Sequence, residues 1–295
     1  MRRALTLLAV TGLLMAAVPV ASAASPRSDL RVGPMMGVVH AKGNARPGGG
    51  GGNPNLVYHN GAVMASGAAV TPIFWGPKWS GSAYQGDVVT GLHGLYAAFG
   101  NTGYMGTNTE YTDSSGAHVS KGVSISGSLF DYSATPRRAP STSTVLGIVQ
   151  SNIANPVTNG YYPVYTDIKR GSAGYCAWHS WGTVKGVLVQ FAFFFDLTGD
   201  TGCDPQDPGT SRSQNLEALA NVSGHELSEA VTDPHGDGWY DTSGSENSDK
   251  CAWVFSQPVS LNGADWKIQG NWSNAAYTTG TGFANRSGQK GCLYN

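Results

Sequence analysis

Charged residues are scarce in this 295-residue chain, in which Asp, Glu, Lys and Arg together make up only 13% of the sequence. The 18 basic and 19 acidic side chains nearly cancel, which gives a formal charge of -1 and a pI near 6.6. This balance excludes a strongly basic surface of the kind that binds nucleic acid, since such surfaces are rich in Lys and Arg. We therefore expect no nucleic-acid partner.

Long apolar runs are equally scarce beyond the first residues. No later stretch approaches the roughly 18 consecutive apolar residues that a membrane-spanning helix requires, so we expect no membrane span in the mature chain. Hydrophobic residues nevertheless make up 40% of the sequence, which is ample for a folded core and excludes wholesale disorder.

Residues 1–23 have the layout of a secretory signal peptide. Two arginines stand near the start, an apolar segment runs from Leu5 to Val20, and the small-residue sequence Ala21-Ser22-Ala23 fits a cleavage site. We therefore expect a secreted protein that is extracellular or associated with the cell wall.

The segment that follows the expected cleavage site is rich in glycine and proline. Residues 24–54 include five consecutive glycines at 48–52. Such a segment buries too little apolar surface to offset the entropy of ordering it, so the composition predicts a flexible leader. We expect one folded domain over residues 55–295, without internal repeats.

Cysteine is rare, and all four cysteines lie in the C-terminal half of the chain. In an exported protein an even number of cysteines predicts disulfides rather than free thiols, and no pair here has the C-x-x-C spacing of a zinc knuckle. Four cysteines permit three pairings, of which we favour Cys176–Cys203 with Cys251–Cys292.

The periodicity of apolar residues predicts a single α+β domain in which helices pack on a mixed sheet. The run from Val184 to Asp196 is so apolar that we expect a central strand covered on both faces. The longest predicted helix, Ser213–Thr232, ends before Asp233-Pro234, because the residue before a proline is disfavoured in a helix. Further predicted elements are strands over 70–76 and 161–168 and helices over 87–99 and 142–153.

The longest predicted helix carries the sequence His225-Glu226-Leu227-Ser228-Glu229. His225 and Glu229 are four residues apart, so they share one helical face and are placed to hold one metal ion. Glu226 occupies the position of the general base in the H-E-x-x-H motif of zinc hydrolases, whose second histidine is replaced here by Glu229. The alternative interpretation is a polar, solvated helix face.

Further ligands must come from outside this helix. The segment 233–251 is rich in carboxylates, and Asp233, Glu246 and Asp249 are candidates to complete a zinc site. The same oxygen-rich segment suits calcium, and its alternative interpretation is a surface loop whose carboxylates stabilise turns. His179 is an additional candidate ligand, although a lone histidine beside a disulfide is often structural.

Several short stretches between residues 56 and 295 match, in order, the motifs of a known family. They are Tyr58-His59-Asn60-Gly61, Val70–Trp79, Cys176-Ala177-Trp178, Glu229–Pro234, Gly238-Trp239-Tyr240, Cys251 and Cys292. Together they resemble the EXORDIUM-like, phosphate-induced family of secreted plant proteins and their microbial relatives. The order of these islands, rather than any single one, carries the resemblance.

The resemblance implies one compact domain and a protein of the apoplast or cell wall, whose plant members are tied to growth and brassinosteroid response. The chain departs from plant members, which commonly lack the His225-Glu226 pair and carry Asn in place of Asp233. It is similar instead to the microbial branch, with its His-Glu-x-x-Glu helix and the loop from Gly244 to Cys251. An apolar strand followed by such a helix resembles the arrangement of a zincin.

Two functions remain open at this point. The first is a secreted zinc-dependent, peptidase-like hydrolase, with His225 and Glu229 as ligands, Glu226 as general base, and a peptide or cell-wall polymer as substrate. The second is a non-catalytic extracellular protein of the EXORDIUM-like kind, which binds a polymer or partner through a tryptophan-rich surface and holds a structural ion or none. We expect a monomer in either case.

Overall fold

The computed structural model describes residues 31–44 and 53–295. The predicted signal peptide, residues 1–23, lies outside the described residues, as do residues 24–30 and 45–52 of the predicted leader. Within the described part, no helix is long and apolar enough to cross a membrane.

Six α-helices and fifteen strands make up the regular structure of the described residues. The helices are α1 Ser82–Gln85, α2 Val88–Phe99, α3 Gly103–Gly106, α4 Thr142–Asn152, α5 Gln214–Thr232 and α6 Asn274–Thr279. The strands are β1 Met36–His40, β2 Val57–Tyr58, β3 Ala68–Val70, β4 Ile73–Trp75, β5 Val123–Ile125, β6 Leu129–Asp131, β7 Gly160–Lys169, β8 Tyr175–Val184, β9 Val187–Asp196, β10 Trp239–Tyr240, β11 Val259–Leu261, β12 Ala264–Trp266, β13 Asn271–Trp272, β14 Phe283–Ala284 and β15 Lys290–Leu293.

The long strands form one eight-stranded mixed sheet. β8 is antiparallel to both of its neighbours, β1 and β9. β7 is parallel to β9 on one side and to β3 and β4 on the other, and β5 and β6 extend the sheet in parallel. The protein is therefore a single α+β domain with helices packed on a mixed sheet, which confirms the predicted fold class.

A tight hairpin joins β8 to β9. Val184 pairs with Val187, and the two residues between them, Lys185 and Gly186, both have positive φ, at 48° and 82°. A turn of this shape matches the right-handed twist of the flanking strands. The prediction of one strand from Val184 to Asp196 is therefore wrong at its start, because Val184 ends β8 and β9 begins at Val187. β9 itself is buried through its last eight residues, as expected of a central strand.

Helix α5 is enclosed by the rest of the molecule. It begins after Ser213, whose hydroxyl accepts a hydrogen bond from the backbone N–H of Leu216 at 3.1 Å. Every residue from Asn215 to Thr232 is buried, because the helix packs on β1, β7, β8 and β9 and on helix α2. The alternative of a solvated polar face is therefore wrong. Polar side chains at such positions need partners or a ligand.

Part of the predicted flexible leader is an ordered strand. β1 pairs antiparallel with β8, and its Val39 is completely buried. The prediction of a leader up to residue 54 is wrong for this segment, because the edge of β8 offers backbone groups for pairing and Met36 and Val39 bury apolar surface there. The glycine-rich composition of the surrounding residues predicts flexibility despite this short apolar run.

Both disulfides join the pairs favoured from the sequence. Cys176 is bonded to Cys203 and Cys251 to Cys292, and no cysteine of the described residues is free. Two disulfides fit a protein that folds in an oxidising compartment.

Five of the eight tryptophans are buried and the other three, Trp181, Trp239 and Trp253, are only partly exposed, so most of the tryptophan side chains belong to the core rather than to a binding surface. Trp79 and Trp178 are at most 1% exposed and pack against aromatic rings such as those of Phe74 and Phe193. A tryptophan side chain buries so much apolar area that the core is its more favourable place.

Candidate metal centre

Six ionisable side chains from three segments of the chain come together next to β1. Helix α5 supplies three of them, strand β8 supplies one, and the loop that follows β10 supplies two. They are His225, Glu226, Glu229, His179, Glu246 and Asp249. All except Asp249 are at most 4% exposed.

The first group of potential ligands comprises His225, Glu229 and Asp249, whose ligand atoms lie within 4.8 Å of one another. Nε2 of His225 is 3.0 Å from Oε2 of Glu229 and 3.5 Å from Oδ1 of Asp249. Four-residue spacing on one helix brings the first two together, as the sequence indicates. Asp249 is held in place because its backbone N–H donates a hydrogen bond to Oε1 of Glu229 at 2.9 Å.

The second group comprises His179, Glu226 and Glu229, within the same 4.8 Å limit. Because Glu229 belongs to both groups, the two form one continuous cluster. Nε2 of His179 also lies 3.2 Å from Oε2 of Glu246. Sequence reasoning ranked His179 only as an additional candidate, since no spacing along the chain links β8 to α5 and only their packing brings these residues together.

The other two loop candidates do not belong to these groups. Oε1 of Glu246 accepts a hydrogen bond from the backbone N–H of Gly37 at 3.0 Å, so this carboxylate connects the cluster to β1. Oδ1 of Asp233 accepts one from the backbone N–H of Gly238 at 2.7 Å. Asp233 thus stabilises the turn after α5, which is the structural role considered as the alternative for this loop.

Asp241 organises the same loop. Its Oδ1 accepts hydrogen bonds from the backbone N–H groups of Ser243 and Ser245 at 2.9 and 3.0 Å, and its Oδ2 accepts one from Nζ of Lys250 at 2.6 Å. Both carboxylate oxygens are therefore engaged within the protein. This carboxylate shapes the loop that presents Glu246 and Asp249 to the cluster.

Burial shifts the acidity of the carboxylates in the cluster. It raises the pKa of Glu229 to about 7, with the nearby histidine opposing the shift. It also raises the pKa values of Glu226 and Glu246 well above their usual range, and the charge of Glu229 adds to both shifts. Carboxylates placed so closely in a buried site cannot all ionise without a compensating positive charge.

The two histidines are shifted in opposite directions. Burial alone would lower the pKa of His225, but the adjacent carboxylates of Glu229 and Asp249 outweigh it and raise the pKa to about 9. Burial lowers the pKa of His179 to about 3, and the proximity of His225 contributes. His179 is therefore neutral at pH 7, the form in which imidazole binds a metal.

Several buried polar atoms of the cluster lack a hydrogen-bond partner. They include both carboxylate oxygens of Glu226, Oε2 of Glu229, Nε2 of His225 and Nδ1 of His179. The backbone N–H of Val39 comes close enough to Glu226 to counteract part of its pKa shift, but it completes no hydrogen bond. Each unsatisfied buried group costs roughly 1–3 kcal/mol, so such atoms normally have a partner. Nitrogen and carboxylate donors in this number fit a divalent cation such as zinc.

A glutamine orients the ring of His225. The side-chain amide of Gln269 is hydrogen-bonded to Nδ1, which leaves Nε2 facing Glu229. Gln269 is itself fixed, because its backbone N–H donates to Oδ1 of Asn221 at 2.9 Å and its Oε1 accepts from the backbone N–H of Trp253 at 3.2 Å. This contact holds the plane of the ring, although the partner atom is the amide nitrogen rather than the acceptor oxygen usual beside a metal-binding histidine. Sequence reasoning did not find this residue.

A cleft of about 420 Å³ lies beside the cluster. Its walls come from β1 and from the loop after β10, and they include Met36, Gly37, Asp233, Tyr240, Glu246 and Asp249. The cluster is thus next to a space that a ligand can enter, although β1 forms one of its walls.

Comparison with protein-family models, with curated proteins and with solved structures yields no match to this chain. The resemblance to the EXORDIUM-like family therefore remains an expectation that rests on sequence motifs. The fold and the cluster together define an α+β protein with two disulfides and a buried His/Glu/Asp group suited to a metal ion.

Proposed function

We propose that the protein is a secreted metal-dependent hydrolase that acts on peptides, with zinc as its ion, as the microbial EXORDIUM-like branch would imply. The observation that carries the proposal is the buried group of His225, Glu229 and Asp249 beside the unpartnered carboxylate of Glu226. A structural polar network would satisfy its own hydrogen bonds, whereas this one leaves both carboxylate oxygens of Glu226 and Nδ1 of His179 without a partner.

The residues divide into ligands and a proton carrier. His225, Glu229 and Asp249 hold the ion through Nε2 and carboxylate oxygens. Such an ion polarises a carbonyl group and lowers the pKa of water. Glu226 would take a proton from the attacking water and deliver it to the leaving amine, as the glutamate of an H-E-x-x-H motif does.

The first experiment measures metal content by mass spectrometry, on protein secreted and purified without chelator or a histidine tag. We expect about one zinc ion per chain, lost in the His225→Ala/Glu229→Ala variant. The second experiment follows cleavage of a peptide library. Glu226→Gln should retain the ion and lose about 10²–10⁴-fold in rate. Normal cleavage by a metal-loaded Glu226→Gln protein would contradict the mechanism.

A structural ion without catalysis is the second candidate function. It is favoured by the position of Gly37, whose backbone lies directly on Glu229 and His179 and restricts access to the cluster. In that case zinc is present, the library is not cleaved, and removal of the ion lowers the melting temperature. Retention on chitin, cellulose or peptidoglycan then tests the cell-wall role.

A further inference from the structure

Strand β1 lies across the candidate metal centre with no space between them. The backbone N–H of Gly37 donates to Oε1 of Glu246 at 3.0 Å. A β-carbon added at Gly37 would fall within 2.5 Å of Nε2 of His179 and closer still to Oε2 of Glu229. Gly37 also has a φ of +49°, a conformation that residues with side chains rarely adopt. Only glycine therefore fits at this point of the strand.

The chain around Gly37 is bound to β8 as a peptide would be. Within β1, Met36 lies opposite His179, Val39 opposite Ala177 and His40 opposite Tyr175, in an antiparallel pairing with register shifts on both sides of Val39. Backbone hydrogen bonds continue beyond the strand at both ends, from the N–H of Gly33 to Trp181 and from that of Ala41 to Gly174. The edge of β8 thus binds about nine consecutive residues mainly through main-chain groups.

Side chains reinforce this binding mode. Val39 is completely buried in the hydrophobic core, whereas Met36, 9% exposed, lines the adjoining cleft. Nε1 of Trp253 donates a hydrogen bond to the carbonyl oxygen of His40 at 2.8 Å. The segment is held by backbone contacts, one apolar site and one site that admits only glycine.

We propose that the edge of β8 beside the metal centre is a binding groove for an extended polypeptide with glycine at the position of Gly37, and that β1 is its built-in occupant. The proposal deepens the proposed function by naming the substrate class of the same site. The backbone donors and acceptors at the edge of β8 select a polypeptide, because a polysaccharide offers no matching row of N–H groups. A substrate gains access when β1 leaves the groove.

The test uses the full chain with Gly48–Gly52 replaced by the recognition sequence of a site-specific protease, which is cleaved after folding. A fluorescent synthetic peptide with the sequence of residues 31–44 is added, and its anisotropy is measured as resident β1 exchanges with it. The matched control peptide differs only by Gly37→Val. We expect saturable binding of the first peptide and about tenfold or more weaker binding of the second, because the site over Glu229 has no room for a side chain.

A second variant covers the case in which resident β1 stays bound after cleavage. The uncleaved full chain with Gly37→Val cannot seat its own strand, so it should bind the labelled wild-type peptide, whereas the unaltered chain should not. Equal affinity for the two peptides, or no binding by a Gly37→Val protein that circular dichroism shows to be folded, would overturn the proposal. Glycine-dependent binding without any metal-dependent cleavage would support the binding groove but contradict the proposed hydrolase activity.

Discussion

Nε2 of His225 lies 3.0 Å from Oε2 of Glu229, from consecutive turns of the buried helix α5. The two fully buried groups form an ion pair when His225 is protonated, and neither atom has a hydrogen-bond partner beyond this contact. A buried imidazole and a buried carboxylate held this way are stable when a further polar or charged partner compensates for their loss of hydration. A divalent cation bound between them would be such a partner.

Replacing Glu229 by glutamine should abolish retention of the ion, because it removes the one carboxylate shared by both ligand groups. The matched control is Glu217→Gln, which alters another buried carboxylate of α5 that bonds to Arg212 and Thr210 instead. Metal content by mass spectrometry distinguishes the two variants. Equal zinc content in both proteins would contradict the assigned site.

Affinity for zinc should rise with pH between about 6 and 8. The raised pKa values of Glu229, about 7, and His225, about 9, mean that both groups carry protons at pH 6. Zinc binds only their deprotonated forms, so each displaced proton makes the affinity increase about tenfold per pH unit. Competition with a chromophoric chelator at several pH values measures this slope, and a pH-independent affinity would contradict it.

Removal of the metal should make stability fall as pH rises above 6.5. A group whose pKa is higher in the folded than in the unfolded protein stabilises the fold while it is protonated. This stabilisation is lost as the pH rises through the folded-state pKa, which is about 7 for Glu229 and about 9 for His225. His179, whose pKa is lowered to about 3, weakens the fold only as pH falls below 6.5. We expect a loss on the order of 2 kcal/mol between pH 6.5 and 9.

The measurement is thermal or urea unfolding of chelator-treated protein across this range. Zinc-loaded protein is the control, and its stability should hold or rise with pH because the ion takes the place of the protons. A chelator-treated protein that becomes more stable at pH 9 would contradict the raised pKa values of Glu229 and His225.

Gln269→Leu should weaken zinc binding about 10–100-fold while leaving every ligand in place. The amide of Gln269 is hydrogen-bonded to Nδ1 of His225 and fixes which nitrogen faces Glu229. Gln269→Glu, which places a carboxylate oxygen where the amide nitrogen contacts Nδ1, can accept a hydrogen bond from Nδ1–H and should retain most of the affinity. If the leucine variant binds zinc as tightly as the unaltered protein, the ring is oriented by other contacts.

Local features of the chain predicted part of this structure well. The start of the helix near Ser213, its stop before Pro234 and the pairing of His225 with Glu229 all depend on residues within one helix, where spacing determines geometry. The order of the cysteines likewise suggested the two disulfides that the structure contains.

Contacts between distant segments were the part that sequence reasoning missed. His179 lies on β8, a strand whose alternation is broken by polar residues and glycine, so neither the strand nor its position under α5 was predicted. Gly37 lies in a segment whose composition indicates flexibility, and only the edge of β8 gives it a fixed conformation. Burial of α5 on all sides depends in the same way on what packs around it.

Lys250→Met should destabilise the protein by roughly 3–5 kcal/mol, since it leaves the buried carboxylate of Asp241 without its charged partner. Burial alone would raise the pKa of Asp241, but its hydrogen bond to Lys250 lowers it, so the ion pair contributes at neutral pH and its contribution is lost only in acid. Zinc affinity should fall as well, because Asp241 shapes the loop that presents Asp249.

The double variant Lys250→Met/Asp241→Asn separates the charge from the loop geometry. Asparagine retains an oxygen for the backbone N–H groups of Ser243 and Ser245 but carries no charge, so it should recover much of the lost stability in urea unfolding. If the single variant costs less than about 1 kcal/mol, the pair is effectively solvated. If instead the double variant is no more stable than the single one, the loss comes from packing of the Lys250 side chain against Trp272.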